Sequence, residues 1–231
     1  MEIYKGITIV DLALRYKDFL ILGDLQLGYE EHLNKHGIMV PRFQKEDVIG
    51  RIKNILASSK GIKTIILNGD VKHQFGGIYS QEWNAISELL EYLVKKYAVI
   101  IVKGNHDVMI GPILKKFNEK VKLVNFFQID DILITHGDKI LPNPAHVMII
   151  GHEHPAVSFR EKPGEKYKCF LKGKWKGHVL IVMPSFNMLN AGTDMTKEHV
   201  LSPYLKDDLG NFEVYVIEDK AYNFGKLKEI E

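Results

Sequence analysis

The chain has 231 residues, of which 45% are hydrophobic and 26% charged, with a net charge of +2 at neutral pH; these are the proportions of a water-soluble globular protein with room for a sizeable core. So small a net charge gives no electrostatic case for a nucleic-acid or membrane partner, and one cysteine, Cys169, excludes an internal disulfide. No apolar run approaches the roughly 18 residues of a spanning helix, and residues 1–6 lack the charged and apolar regions of a secretory leader, so the expected location is cytoplasmic.

In chain order, Phe19-Leu20-Ile21-Leu22 is an apolar run that stops at Gly23-Asp24. Residues 29–42 read as a helix and loop carrying Glu30, His32, His36 and Arg42, any of which could face a ligand. Residues 45–59 put Val48, Ile52, Ile55 and Leu56 on one helical face. Thr64-Ile65-Ile66-Leu67 then runs into Asn68-Gly69-Asp70. Residues 81–96 repeat the helical spacing with Ile86, Leu89, Leu90, Leu93 and Val94. Residues 98–102 lead to Lys103-Gly104-Asn105, Ile132-Leu133-Ile134 to Thr135-His136-Gly137, and residues 147–150 to Gly151-His152. Short runs rich in Ile, Val and Leu predict strands buried on both faces. Beyond residue 156 the pattern becomes strand and turn, with strands expected over 157–161, 166–172, 177–183 and 212–218. There is no repeat, low-complexity tract or linker. The expectation is one α/β domain over residues 1–231, with two packed mixed β-sheets flanked by helices.

Each of the five apolar runs ends in a residue able to bind a cation. In open α/β sheets, the loops beyond the carboxyl ends of strands form the ligand site. Those loops carry Asp24 and Gln26, then Asp70 and His73, then Asn105, His106 and Asp107, then His136 and Asp138, and last His152 and His154. Carboxylates, imidazoles and an amide oxygen suit Mn, Fe or Zn better than a soft thiolate site would. Glycines before these residues let the backbone turn sharply and approach a bound ion.

Plainer readings apply elsewhere. His32, His36, His146, His178 and His199 are expected at the surface or satisfied in the core, and Cys169 is read as a buried structural thiol. Thr193 and Asp194 fit turn chemistry. Asp138 either orients His136 or caps a turn. Residues 162–176, with six lysines around Phe170 and Trp175, are read as a solvated β-ribbon in preference to a nucleic-acid-binding hairpin.

The ordered set Asp24, Gly69-Asp70, Gly104-Asn105-His106-Asp107, His136-Gly137 and Gly151-His152-Glu153-His154 resembles the calcineurin-like metallophosphoesterase superfamily over residues 24–154. Gly28-Tyr29-Glu30, Val40-Pro41, Val71-Lys72-His73, His154-Pro155 and Ala191-Gly192-Thr193-Asp194 are similar to archaeal and bacterial phosphoesterases related to SbcD-type and ligase-associated enzymes. The resemblance implies a four-layer αββα sandwich and hydrolysis of a phosphate ester, in particular a phosphodiester, by a metal-bridging hydroxide. It implies two divalent ions, manganese first, with Fe, Zn or Ni as alternatives. Asp24, Asp70 and His154 would hold one ion, and Asp70, Asn105, His136 and His152 the other. His106 would donate a proton to the leaving group, with Asp107 orienting its ring. Gln26 departs from the pattern, since the family usually has histidine there; it joins the metal-binding set through its carbonyl oxygen. His73 stands where related enzymes often carry an acid, and is expected either to contact the site or to lie at the surface. The implied partner is a phosphoester substrate, nucleotide or nucleic acid included, and no membrane. Two other readings stand beside it: a DNA-repair-associated nuclease of SbcD type, and a non-catalytic metal-binding scaffold.

Overall fold

Apolar runs too short for helices become strands, and the polar residues and glycines that end them carry the chain off the sheet. A computed structural model, which describes residues 1–41, 43–77, 79–162 and 164–230, arranges these strands in two mixed β-sheets. The first holds seven strands in chain order: β1 (Glu2–Tyr4), β2 (Ile7–Val10), β3 (Ala13–Tyr16), β4 (Phe19–Gly23), β5 (Thr64–Asn68), β6 (Ala98–Val102) and β7 (Val121–Val124). Strands β1 to β4 form an antiparallel meander, which the sequence reading did not resolve. Strands β4 to β7 pair in parallel. Parallel neighbours need long crossovers. Those crossovers contain α1 (Tyr29–Lys35) and α2 (Gln44–Ser58) between β4 and β5, and α3 (Ser80–Leu93) between β5 and β6.

The second sheet comprises β8 (Phe126–Ile129), β9 (Ile132–Thr135), β10 (Val147–Ile150), β11 (Pro155–Val157), β12 (Tyr167–Trp175), β13 (His178–Val182), β14 (Thr193–Asp194), β15 (Glu213–Ile217) and β16 (Ala221–Lys226). Strand β10 lies between β9 and β13 and is parallel to both.

Ile21, Ile66 and Ile101 of the first sheet share one buried cluster with Ile134, Ile149 and Ile181 of the second. Val48, Ile52 and Ile55 of α2 and Ile86, Leu89 and Leu93 of α3 join it. Each such side chain contributes about 1.5–3 kcal/mol on burial. A second cluster sets Met148, Ile150, Leu180 and Val182 against Trp175, Tyr204 and Phe212, so the chain after residue 195 covers that part of the second sheet. The expected architecture of two packed sheets flanked by helices is the observed one. Among the described residues, no helix is long and apolar enough to cross a membrane.

Two local expectations fail. The strand expected over residues 157–161 is instead β11 (Pro155–Val157). The chain leaves the sheet at Ser158, whose hydroxyl donates to Asp194, and turns where the Lys162 N–H meets the Phe159 carbonyl. Residues 162–176 do not form a solvated ribbon, because Lys168 is 8% and Trp175 5% exposed. Lys172 pairs with Glu213 at 2.8 Å. Cys169 is buried in β12, and burial raises its thiol pKa, as an inert structural cysteine requires.

Candidate metal centre

Strands β4, β5 and β6 run in parallel, as do β9 and β10, and their carboxyl ends meet at one edge of the sandwich. Asp70 Oδ2 lies 3.5 Å from His136 Nε2. Asn105 Oδ1 is 2.8 Å and His152 Nδ1 3.1 Å from that same nitrogen. Atoms of Asp70, His136 and His152 all fall within 4.8 Å of one another. On the other side of the His136 ring, Asp24 Oδ1 lies 3.3 Å from Nδ1 and 3.5 Å from His154 Nε2. Six of the residues singled out in the sequence therefore converge.

The backbone at these points is unusual. Asp24, Gln26, Asp70, His152 and His154 all have positive φ, between 36° and 67°. Non-glycine residues seldom adopt that conformation, and where they do, the surrounding structure must hold them there. Main-chain bonds supply the restraint: Gln26 N–H donates to the Asp70 carbonyl at 2.8 Å, His152 N–H to Asp24 Oδ2 at 3.0 Å, and His106 N–H to Asp70 Oδ1 at 2.9 Å.

The donors fit a cation. Asp24 Oδ1, His136 Nδ1 and His154 Nε2 are buried with no hydrogen-bond partner, a costly state for polar atoms unless a ligand completes them. Burial lowers the pKa of His136 to about 4 and depresses that of His152, so both rings are neutral at pH 7 and have lone pairs to give. Burial also raises Asp24, but His154, His136 and the His152 N–H outweigh it and hold the carboxyl below its usual range. For Asp70, burial and then the charge of Asp24 push the pKa up to about 9. Two carboxylates in one dry site cannot both ionise cheaply until positive charge arrives.

His106 does not have the partner expected for it. Its Nδ1 bonds the main-chain oxygen of His73, and its Nε2 lies 3.7 Å from Asp70 Oδ2. Asp107, expected to orient this ring, is fully buried and accepts backbone N–H bonds from Gly104 (3.0 Å), Lys72 (3.2 Å) and Val71 (3.3 Å). It braces the two ligand loops and makes no bond to the imidazole. The reason is geometric: Asp107 begins a short 3-10 turn, Asp107–Met109, that turns its carboxylate back under the loop. His73, left open between site and surface, belongs to the site through its carbonyl.

Gln26 is 5% exposed, and its Oε1 accepts from Asn190 Nδ2 at 2.9 Å. That same amide nitrogen is 3.0 Å from His154 Nδ1. Asn190 thus ties together two proposed ligands, and sequence reasoning missed it; the nearby Pro184-Ser185-Phe186-Asn187 stretch was the only signal. Glu30 does not face the site. It is 4% exposed and accepts from Gln44 N at 3.0 Å and Gln81 Nε2 at 2.6 Å. His32 is not isolated, since its ring lies 4.7 Å from that of His73. Arg42 lies outside the described residues. Asp194 serves a turn, accepting from Thr196 N at 3.0 Å.

A family model for the calcineurin-like phosphoesterase matches residues 17–215. Among solved structures, the chain is similar to the nuclease MPE of Pseudomonas putida, with 16% identity over 93% of this chain and 92% of that one and a TM-score of 0.68. It is also similar to YfcE, a phosphoesterase from E. coli, with 15% identity over 92% and 99% of the two chains and a TM-score of 0.42. At such identities the first likeness bears on the fold alone. No curated protein sequence matches the chain.

Proposed function

Because the chain belongs to the calcineurin-like phosphoesterase family, a family of metal-dependent hydrolases, we propose that it hydrolyses a phosphodiester at a centre of two divalent cations, manganese first. The observation that carries this reading is the set of buried, unpartnered donors, Asp24 Oδ1, His136 Nδ1 and His154 Nε2, beside the cluster of Asp70, Asn105, His136 and His152. Asp24, Gln26, Asp70 and His154 would take one cation. Asp70, Asn105, His136 and His152 would take the other, and the charge of Asp70, common to both sets, would lessen repulsion between the ions. When bound, such cations lower the pKa of coordinated water toward neutrality and offset charge on phosphoryl oxygens.

The chain's own residues do the rest. The His106 N–H and the backbone of Gln26 fix Asp70 from two sides. His106, with Nδ1 engaged by the His73 carbonyl, presents Nε2 to the site. Because Nδ1–H is given to the His73 carbonyl, Nε2 carries a proton only in the imidazolium form, which the burial-lowered pKa makes a stronger acid but a scarcer one at neutral pH. From that form the Nε2 proton passes to the leaving oxygen as the phosphorus–oxygen bond breaks and the ring is left neutral, a contribution of about 10²–10⁴-fold. The reading as a scaffold without chemistry gains nothing from a His106 held in this way.

A narrower reading, nuclease, draws on the name of the Pseudomonas putida neighbour; degradation of single-stranded DNA that slows with added salt would support it. The test is to assay purified protein with Mn against bis(p-nitrophenyl) phosphate, cyclic nucleotides and oligonucleotides. Asp70→Ala or His152→Ala should remove both metal binding and turnover. His106→Ala should keep the metal and cut the rate. If no aryl phosphate or phosphodiester is hydrolysed, the reading fails.

A further inference from the structure

The loop that follows Asp70 carries a ring for which the chemistry above has no use. Phe75 is 57% exposed, yet its ring centroid lies only 3.7 Å from that of His106, tilted by 43°. Further planar groups continue from there. The His73 ring is 5.6 Å from His106, and the rings of Tyr29 and His32 are 4.6 and 4.7 Å from His73. The loop is anchored. Glu82, 1% exposed, accepts the N–H groups of His73 and Gln74 at 2.9 Å each. The buried Lys72 ammonium donates to the carbonyls of Gln74 and Gly77. An apolar ring is thus held half in water, beside the group that faces the leaving oxygen. Single exposed hydrophobics are ordinary, but Val108 and Met109, next in the chain after Asp107, are also 61% and 43% exposed. Exposed apolar side chains thus stand beside His106 in space, at Phe75, and just after it in the chain, at Val108 and Met109.

We propose that Phe75 is a stacking shelf for a planar ring on the leaving group, so that the preferred substrates are diesters whose leaving alcohol carries a nucleobase. This rests on the reading of His106 as donor to the leaving oxygen. That oxygen must come within reach of Nε2, and a ring a few bonds away from it then falls beside His106, where Phe75 offers its face. Stacking on phenylalanine accepts any base, since every base has a π-face. The site therefore selects a ring without selecting a sequence, and needs no basic track to do so.

The experiment uses the manganese-loaded full chain and a dinucleoside monophosphate. It is compared with the two analogues in which one or the other nucleoside is abasic. The readout is the ratio of kcat/KM for the base-bearing compound to that for the analogue abasic on the leaving side. Wild type should show a preference of about tenfold, the order of one base–aromatic stack. Phe75→Ala and Phe75→Leu should bring the ratio near one, while Phe75→Trp should keep it. A ratio that persists in both Phe75→Ala and Phe75→Leu overturns the proposal, as does a wild type with no preference. Turnover of bis(p-nitrophenyl) phosphate without cleavage of any dinucleoside also overturns it, and leaves the phosphoesterase reading standing. Loss of turnover on both would remove that reading itself.

Discussion

His106 donates its Nδ1–H to the main-chain oxygen of His73. A carbonyl accepts but cannot donate, so this bond fixes the tautomer and leaves Nε2 toward Asp70, 3.7 Å away. The orientation of the proposed acid thus depends on a backbone atom, and that backbone depends on Glu82.

Glu82→Ala is accordingly expected to act on turnover from outside the site. It leaves the Gln74 N–H without its acceptor, at about 1–3 kcal/mol, leaves the His73 N–H with only the Leu27 carbonyl at 3.0 Å, and lets the His73 carbonyl drift. The kcat should fall by about tenfold or more with KM little changed. The loss should grow as the leaving group becomes a poorer one, because only poor leaving groups need the proton. Glu82→Gln keeps an acceptor and should retain most of the rate. An equal loss for p-nitrophenyl and alkyl leaving groups would show that Glu82 does not act through His106.

Asp107 should behave differently from its neighbour. Asp107→Ala strips the acceptor from three buried N–H groups, for a loss of about 3 kcal/mol or more. At this chain length that is a fall in Tm of roughly 6–12 °C. His106→Ala, removing a half-buried ring, should leave Tm within about 2 °C of wild type. Thermal denaturation of the two variants separates the roles, and equal Tm values would sink the distinction.

The convergence of the candidate ligands was legible because it is local. Each stands shortly after an apolar run, and strands of one direction bring their ends together, so order in sequence becomes proximity in space. The partners of those candidates were not legible. Asn190 reaches Gln26 across 164 residues and His154 across 36, and a lone asparagine in a turn carries no period or spacing to betray it. Adjacency also misled: Asp107 follows His106 in sequence, but its 3-10 turn sends the two side chains apart. Of the meander, the sequence showed β4 as an apolar run but not β1 to β3, whose strands are three and four residues long, too short for alternation to stand out.

Gly104 is required for steric reasons. A Cβ built there would overlap Asp70 Oδ1 and the Asp70 backbone nitrogen, with no flexible side-chain end to yield. Gly104→Ala should therefore displace the proposed shared ligand and weaken manganese binding by more than tenfold while the fold persists. Calorimetric titration alongside circular dichroism checks this. An unchanged affinity would mean that Asp70 does not bind the ion.

Asn190 predicts a selective defect. Groups that orient metal ligands are each worth about 10–100-fold in affinity. Asn190→Ala frees the Gln26 amide and His154 Nδ1 together, so one manganese-binding step should weaken by that factor while the step assigned to Asn105, His136 and His152 stays. Gln26→His, which restores the imidazole usual in the family, should tighten the same step. Two steps that weaken in parallel, or neither, would contradict the division of ligands.

Lys168 ties stability to pH. It is 8% exposed in β12 and donates to the Ser185 carbonyl at 2.9 Å, while the Ser185 hydroxyl donates to the Asp24 carbonyl at 2.8 Å. Burial, with some repulsion from Arg51, lowers its pKa to about 7, against about 10.4 in an unfolded chain. Between those values the unfolded chain holds a proton that the native state has released. Stability from this group therefore rises with pH from about 7 to about 10.5, by at most roughly 1.4 kcal/mol per unit, and the penalty is complete below that window. Lys168→Met removes the charge and keeps the bulk. It should be about 2 kcal/mol more stable than wild type at pH 7, and the gap should close toward pH 10. Urea denaturation at several pH values, with manganese saturating so that Asp70 stays ionised in both proteins, measures the difference. Parallel curves for the two proteins would show that the ammonium is solvated in the native state, and that its burial beside Ser185 carries no energetic penalty.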